Sequence, residues 1–168
     1  SPRADGWFAN DPNPRWSPYD LYCVYTDHSG HVWFGTANLG ICRFDGRTRD
    51  WMYEPHLTDL ANDAMFGIRS IIEDKDGAFW FCNTNYRYRF TPSSGAGVDA
   101  TKISGELAYT REPGVDPAAL PRGESPIYFQ SVVDDPGGNL WMSTYGYGVW
   151  RWDGQQMTHF PIMDGDKV

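Results

Sequence analysis

A tryptophan set between apolar residues recurs three times in this chain behind the same kind of turn, and no other feature limits its possible folds as strongly. The recurrences span residues 24–36, 71–83 and 132–144, with Trp33, Trp80 and Trp141 at equivalent places. Each segment reads as an apolar strand that ends at an acidic residue, an Asp-x-x-Gly turn, and a second strand centred on the tryptophan. Asp27, Asp74 and either Asp135 or Asp134 open the turns, and Gly30, Gly77 and Gly138 supply the positive φ that such a turn requires. A third strand follows at residues 40–46, 86–91 and 148–154, and fourth-strand candidates lie at 50–53, 106–110 and 157–160. Four short strands per repeat with tight turns between them form the meander of one propeller blade.

The expected fold class is therefore all-β: three four-stranded β-propeller blades, a partial ring that an oligomer or a partner completes. The boundaries predicted are a non-repeat N-terminal arm over 1–20, blade 1 over 21–66, blade 2 with a long loop over 67–126, and blade 3 with the start of a further linker over 127–168. The long loop falls at 92–126, where Pro, Gly, Ser and Ala dominate and apolar periodicity fades. The C-terminal residues 163–168 read as a linker toward a next blade.

Composition narrows the function classes. Among 168 residues, 16% are aromatic, with 18 glycines and 12 prolines, a balance that favours short strands and turns over helices. A formal net charge of −8 repels a nucleic-acid backbone or an anionic bilayer, so no nucleic-acid partner is expected. No apolar run is long enough for a transmembrane segment. Cys23, Cys42 and Cys82 lack metal-ligand or redox spacing and read as small buried hydrophobes, with one disulfide and one free thiol as the alternative.

No Ser-His-Asp arrangement, HExxH, Walker loop or dinucleotide fingerprint is present, and the four histidines are scattered, with His28 and His31 at one turn expected on the face opposite His56. Asp74, Asp76 and Gly77 look like the opening of a calcium loop, but the further oxygen ligands and closing Glu are missing. No catalytic residue, cofactor or metal is expected. The candidate binding face consists of loop residues Asn38, His56, Tyr86, Arg87, Tyr145 and Tyr147, because aromatic and guanidinium groups are enriched where proteins hold partners or sugars. Trp7, Phe8, Trp16 and Tyr19 belong to no repeat and form a candidate docking arm. Trp33, Trp80 and Trp141 read as packing residues, since identical placement in every repeat is what stacking of blades needs.

The run Val32-Trp33-Phe34-Gly35-Thr36 followed by Gly40-Ile41-Cys42-Arg43-Phe44-Asp45-Gly46 resembles the two-component regulator propeller repeat. The third repeat, Leu140 to Thr144 with Gly148 to Gly154, is close to it, and the second diverges after Trp80. The resemblance covers about three quarters of the chain. It implies blades of large propellers in the periplasmic sensing halves of bacterial hybrid histidine kinases or in related secreted proteins, hence a periplasmic or otherwise extracytoplasmic location. Three blades are fewer than the four to eight that usually close a ring, so open edges and faces are left to be capped. The function expected is a non-enzymatic interaction or scaffold subunit that docks on a larger assembly or on itself. A ligand-sensing or carbohydrate-binding module, taking a small ligand or saccharide, is the alternative; a propeller lyase or hydrolase is the remote one.

Overall fold

Each repeat folds outward from its Asp-x-x-Gly turn. In the computed structural model, which describes residues 20–37, 39–54, 67–82, 84–91, 104–114, 129–144 and 148–162, Gly30, Gly77 and Gly138 stand at φ of 84°, 78° and 75°. That is the left-handed region open to a residue without Cβ. Their amides donate to the carbonyls of Asp27, Asp74 and Asp135 at 3.0, 2.9 and 2.8 Å. The turns thus closed join β1 (Leu21–Thr26) to β2 (Val32–Thr36), β5 (Ile71–Glu73) to β6 (Phe79–Phe81), and β10 (Phe129–Asp134) to β11 (Leu140–Thr144). Asp135, not Asp134, opens the third turn.

The third strands β3 (Ile41–Phe44), β7 (Tyr86–Phe90) and β12 (Val149–Trp152) pair onto these hairpins, and β4 (Arg49–Met52), β9 (Tyr109–Pro113) and β13 (Met157–Phe160) follow as fourth strands. The result is three four-stranded antiparallel meanders of propeller type, with no helix among the described residues. Accordingly no helix there is long and apolar enough to cross a membrane.

Two sequence expectations change in the middle repeat. The fourth strand, expected at 106–110, is displaced to Tyr109–Pro113, where Thr110 and Glu112 pair with Arg89 and Arg87. Glu112 ties that pairing down by accepting from Arg89 Nε at 2.7 Å. The segment just before it, β8 (Ser104–Glu106), instead runs parallel to β4 as a fifth strand of the first sheet, from Arg49 against Ser104 to Trp51 against Glu106. The Leu107 amide closes this ladder by donating to the Trp51 carbonyl at 2.8 Å. Residues 92–126 are therefore more than a surface loop, because part of them supplies a sheet edge with partners.

The chain forms two compact units, one of residues 1–69 and 92–108, the other of residues 70–91 and 109–168. The first holds the sheet β1-β2-β3-β4-β8, with Trp33, Ile41, Arg43 and Met52 buried on one face. The second holds blades 2 and 3 side by side. There the Trp80 and Trp152 rings lie 5.5 Å apart, the Ser70 hydroxyl donates to the Gln130 carbonyl at 3.0 Å, and the Lys75 ammonium donates to the Asp153 carbonyl at 2.6 Å.

All three cysteines are free thiols, so the disulfide alternative does not hold. Cys42 and Cys82 are buried and Cys23 is half-buried, its thiol donating to the Ile68 carbonyl at 3.2 Å. Burial pushes the Cys42 thiol up to about 11, and only the thiolate attacks an alkylating reagent. Iodoacetamide at pH 8 is expected to label Cys23 first in the folded chain and all three residues in urea. Equal labelling of Cys42 and Cys23 without denaturant would contradict this packing.

Candidate functional site

The carboxylates that open the turns are consumed in holding the blades together. Asp74 Oδ1 accepts from the amides of Asp76 and Ala78 at 3.0 and 2.9 Å, and its Oδ2 accepts from the Trp80 indole at 2.9 Å. Asp27 and Trp33 repeat this clasp at 2.8 Å, as do Asp135 and Trp141 at 2.9 Å. Burial works to raise the pKa of Asp27, but hydrogen bonds from the Trp33 indole and from His31 outweigh it and hold the carboxyl below its ordinary value. Asp135 is held further down, by the Trp141 indole and Asn139. Asp27 and Asp135 are therefore ionised acceptors with their lone pairs engaged, unsuited to proton transfer near neutrality. Among the described residues no cluster of His, Cys, Asp and Glu is arranged to hold a metal ion.

A second framework pair lies across from each clasp. Trp33 faces Arg43, Trp141 faces Arg151, and Trp80 faces Arg87 in the strand registers. The guanidinium carbons of Arg43 and Arg151 sit 5.9 and 5.7 Å from the ring centroids of their tryptophans. Arg87 caps Trp152 at 5.2 Å and pairs with Glu112 at 3.2 Å. Blade 2 thus carries the repeat's arginine three residues early, because its connection from second to third strand is three residues shorter. Tyr86 and Arg87, expected in a loop, are strand residues of β7, and Tyr86 is itself stacked under Arg111 at 4.3 Å. The other predicted site residues, Asn38, His56, Tyr145 and Tyr147, and the arm residues Trp7, Phe8, Trp16 and Tyr19, lie outside the described residues.

The surface available for binding lies on the sheet faces. Strand alternation puts Val133, Trp141, Arg151 and Thr158 on one face of blade 3, and Val149 and Phe160 share it. Trp141 packs against Phe160 at 5.4 Å with Arg151 beside both rings. Val133 is nevertheless 56% exposed and Phe160 39%. On blade 2 the same face, with Ile72 and Trp80, is buried against blade 3.

Blade 1 shows the opposite case. Its Leu21, Val24, Phe34, Phe44 and Trp51 occupy the face that blade 3 builds from Phe129, Val132, Met142, Trp152 and His159. Phe129, Met142 and Trp152 are buried, whereas Leu21 is 57% and Val24 63% exposed. Sequence reasoning passed over these residues in favour of loops. The usable signal was the adjacent apolar pair Val132-Val133, which gives a strand an apolar residue on both faces.

No protein-family profile matches this chain, and no curated protein does. Solved structures do. Over 86% of this chain and 17% of the other, at 18% identity and a TM-score of 0.54, it superposes on the extracellular domain of BT4673 of B. thetaiotaomicron, which carries the name of a one component system. A second structure of that extracellular domain, named as a hybrid two component system, matches over 95% and 18% at 15% identity and a TM-score of 0.48. A streptogramin B lyase matches over 90% and 43% at 17% identity and a TM-score of 0.45. The chain spans about a sixth of the length of the BT4673 domain. What the first likeness shows is the fold alone: these are propeller blades.

Proposed function

We propose that this chain is a non-enzymatic, extracytoplasmic propeller module that works by docking a blade face onto another protein surface. The observation that carries the reading is the placement of exposed apolar side chains. Among the described residues the large exposed ones are Leu21 and Val24 on one face of blade 1, Val133 and Phe160 on the opposite face of blade 3, and Ile162 just beyond β13. Apolar surface gathered in this way is a binding surface more often than a chance exposure. The extracytoplasmic placement is supported by the likeness of the repeats and by the extracellular setting of the BT4673 domain.

The double variant Val133→Lys with Phe160→Lys tests the reading at the lowest protein concentration that gives a signal. Its urea midpoint is expected to match the parent's, since substitution of exposed side chains usually shifts stability by about 0.5 kcal/mol or less. Binding of bis-ANS is expected to fall several-fold. A large drop in stability would make this face part of the chain's own core, and unchanged dye binding would show that it is no apolar docking surface; either result overturns the proposal.

A further inference from the structure

One cross-strand position decides how the arginine of each repeat is neutralised. On blade 1 Arg43 pairs with Asp50 of the fourth strand, whose carboxylate lies 3.2 Å from its Nη2. On blade 2 Arg87 pairs with Glu112, again with an ion pair at 3.2 Å, and Asp74 lies 3.8 Å from its Nη1. On blade 3 the residue opposite Arg151 is Thr158. Among the described residues the Arg151 guanidinium has no ion pair, and its Nε is buried without an acceptor.

The carboxylates of that repeat are engaged elsewhere. Asp153 accepts from the amides of Gln155 and Gln156, both at 2.9 Å, and Asp135 is taken up by Trp141 and Asn139. Asp134 alternates to the opposite face of the sheet. What Arg151 does have is aromatic, its guanidinium carbon lying 5.7 Å from the ring centroids of both Trp141 and Phe160.

Covering accounts for the difference. Arg43 is buried and Arg87 lies against the Trp152 ring of the neighbouring blade, so each needs a carboxylate from its own sheet. A guanidinium withdrawn from water without a counter-charge loses more than the apolar contact around it returns. Arg151 is only half-buried and meets that loss once something covers its face. A surface that covers Val133, Trp141 and Phe160 therefore has to bring the missing carboxylate with it.

We infer that the face of blade 3 built from Val133, Trp141, Arg151 and Phe160 receives a protein surface presenting one Asp or Glu beside an apolar side chain. That carboxylate takes the place at Arg151 which Asp50 and Glu112 hold on the other two repeats. The inference rests on the docking reading above and names the chemistry of its partner. A planar guanidinium held against aromatic rings can offer paired N–H donors to a carboxylate. The net charge of −8 opposes an acidic partner at long range, so the attraction acts at contact distance and a single carboxylate fits better than an acidic run.

Two peptides, acetyl-Phe-Glu-Leu-amide and its Gln counterpart, test this when titrated into the full chain and followed by nuclear magnetic resonance. The parent is expected to bind the Glu peptide at least about fivefold more tightly than the Gln peptide, with shifts in β12, β13 and the Arg151 Nε–H. Arg151→Gln is expected to abolish that preference. Thr158→Glu gives blade 3 the carboxylate of the other repeats and is expected to abolish it too, whereas Thr158→Gln is expected to keep it. Because Thr158→Glu leaves Arg151 and its ring contacts in place, it decides the matter even if Arg151→Gln loosens the sheet. Equal affinity for the two peptides, or no binding of either, overturns the inference, as does a preference that survives Thr158→Glu. If the preference is absent while bis-ANS binding still depends on Val133 and Phe160, the docking reading stands and only its carboxylate is excluded. If dye binding is also indifferent to those two residues, both fall.

Discussion

Replacing Asp74 by alanine is expected to cost about 3–5 kcal/mol, as removal of one partner from a buried charged network does. The residue is 1% exposed. Its loss strands the Trp80 indole N–H and the amides of Asp76 and Ala78 without their acceptor, and leaves Arg87, 3.8 Å from its Oδ2, with one carboxylate fewer. Asp74→Asn should recover part of the loss, because its remaining carbonyl oxygen can still accept from the two amides. The same change at Asp135 should cost much less, since its turn is open to water, which can take over the released donors. Urea titrations of the three variants check the order. Equal midpoints for Asp74→Ala and Asp135→Ala would show that burial does not set the strength of the clasp.

The second large effect separates two tryptophans that look alike in the sequence. Trp80→Ala is expected to cost about 3–5 kcal/mol, the range for a large buried aromatic cut back to a methyl. Trp80 is 1% exposed, packs on Trp152, and donates to Asp74. Trp141→Ala should cost well under half as much, because that ring is only half-buried and packs on Phe160, itself 39% exposed. Equal costs in dilute solution would mean that the blade 3 face is already covered within one chain.

The contrast between those two residues marks how far the sequence could be read. Strands, turns and the Asp-Gly hairpins were legible because each depends on residues within a few positions of one another, as Asp27, Gly30 and Trp33 do. The strand role of Arg87 was not, since the shortened connection moved the repeat's arginine next to Tyr86 and made both resemble loop residues. Nor could pattern distinguish Val132 from Val133, or Trp80 from Trp141, since exposure is decided by which blade lies alongside and not by neighbours in the chain. The candidate site was read least well. Tyr86 and Arg87 proved to be framework, the exposed strand residues Leu21, Val24, Val133 and Phe160 went unremarked, and Asn38, His56, Tyr145, Tyr147 and the arm from Trp7 to Tyr19 keep only the standing of proposals.

The parallel strand laid along β4 has a consequence for any attempt to treat these repeats as interchangeable cassettes. Residues 21–54 contain every strand of the first meander, yet the outer edge of that meander is finished by Ser104–Glu106, which arrive only after most of the next repeat. Excised or transplanted alone, the first repeat would present the β4 edge and the Trp51 carbonyl unpaired, a template for pairing with any extended chain. Exchange between such proteins would conserve this edge only if the crossover moved the borrowed strand together with the sheet it serves, which makes the smallest transferable piece about two repeats long.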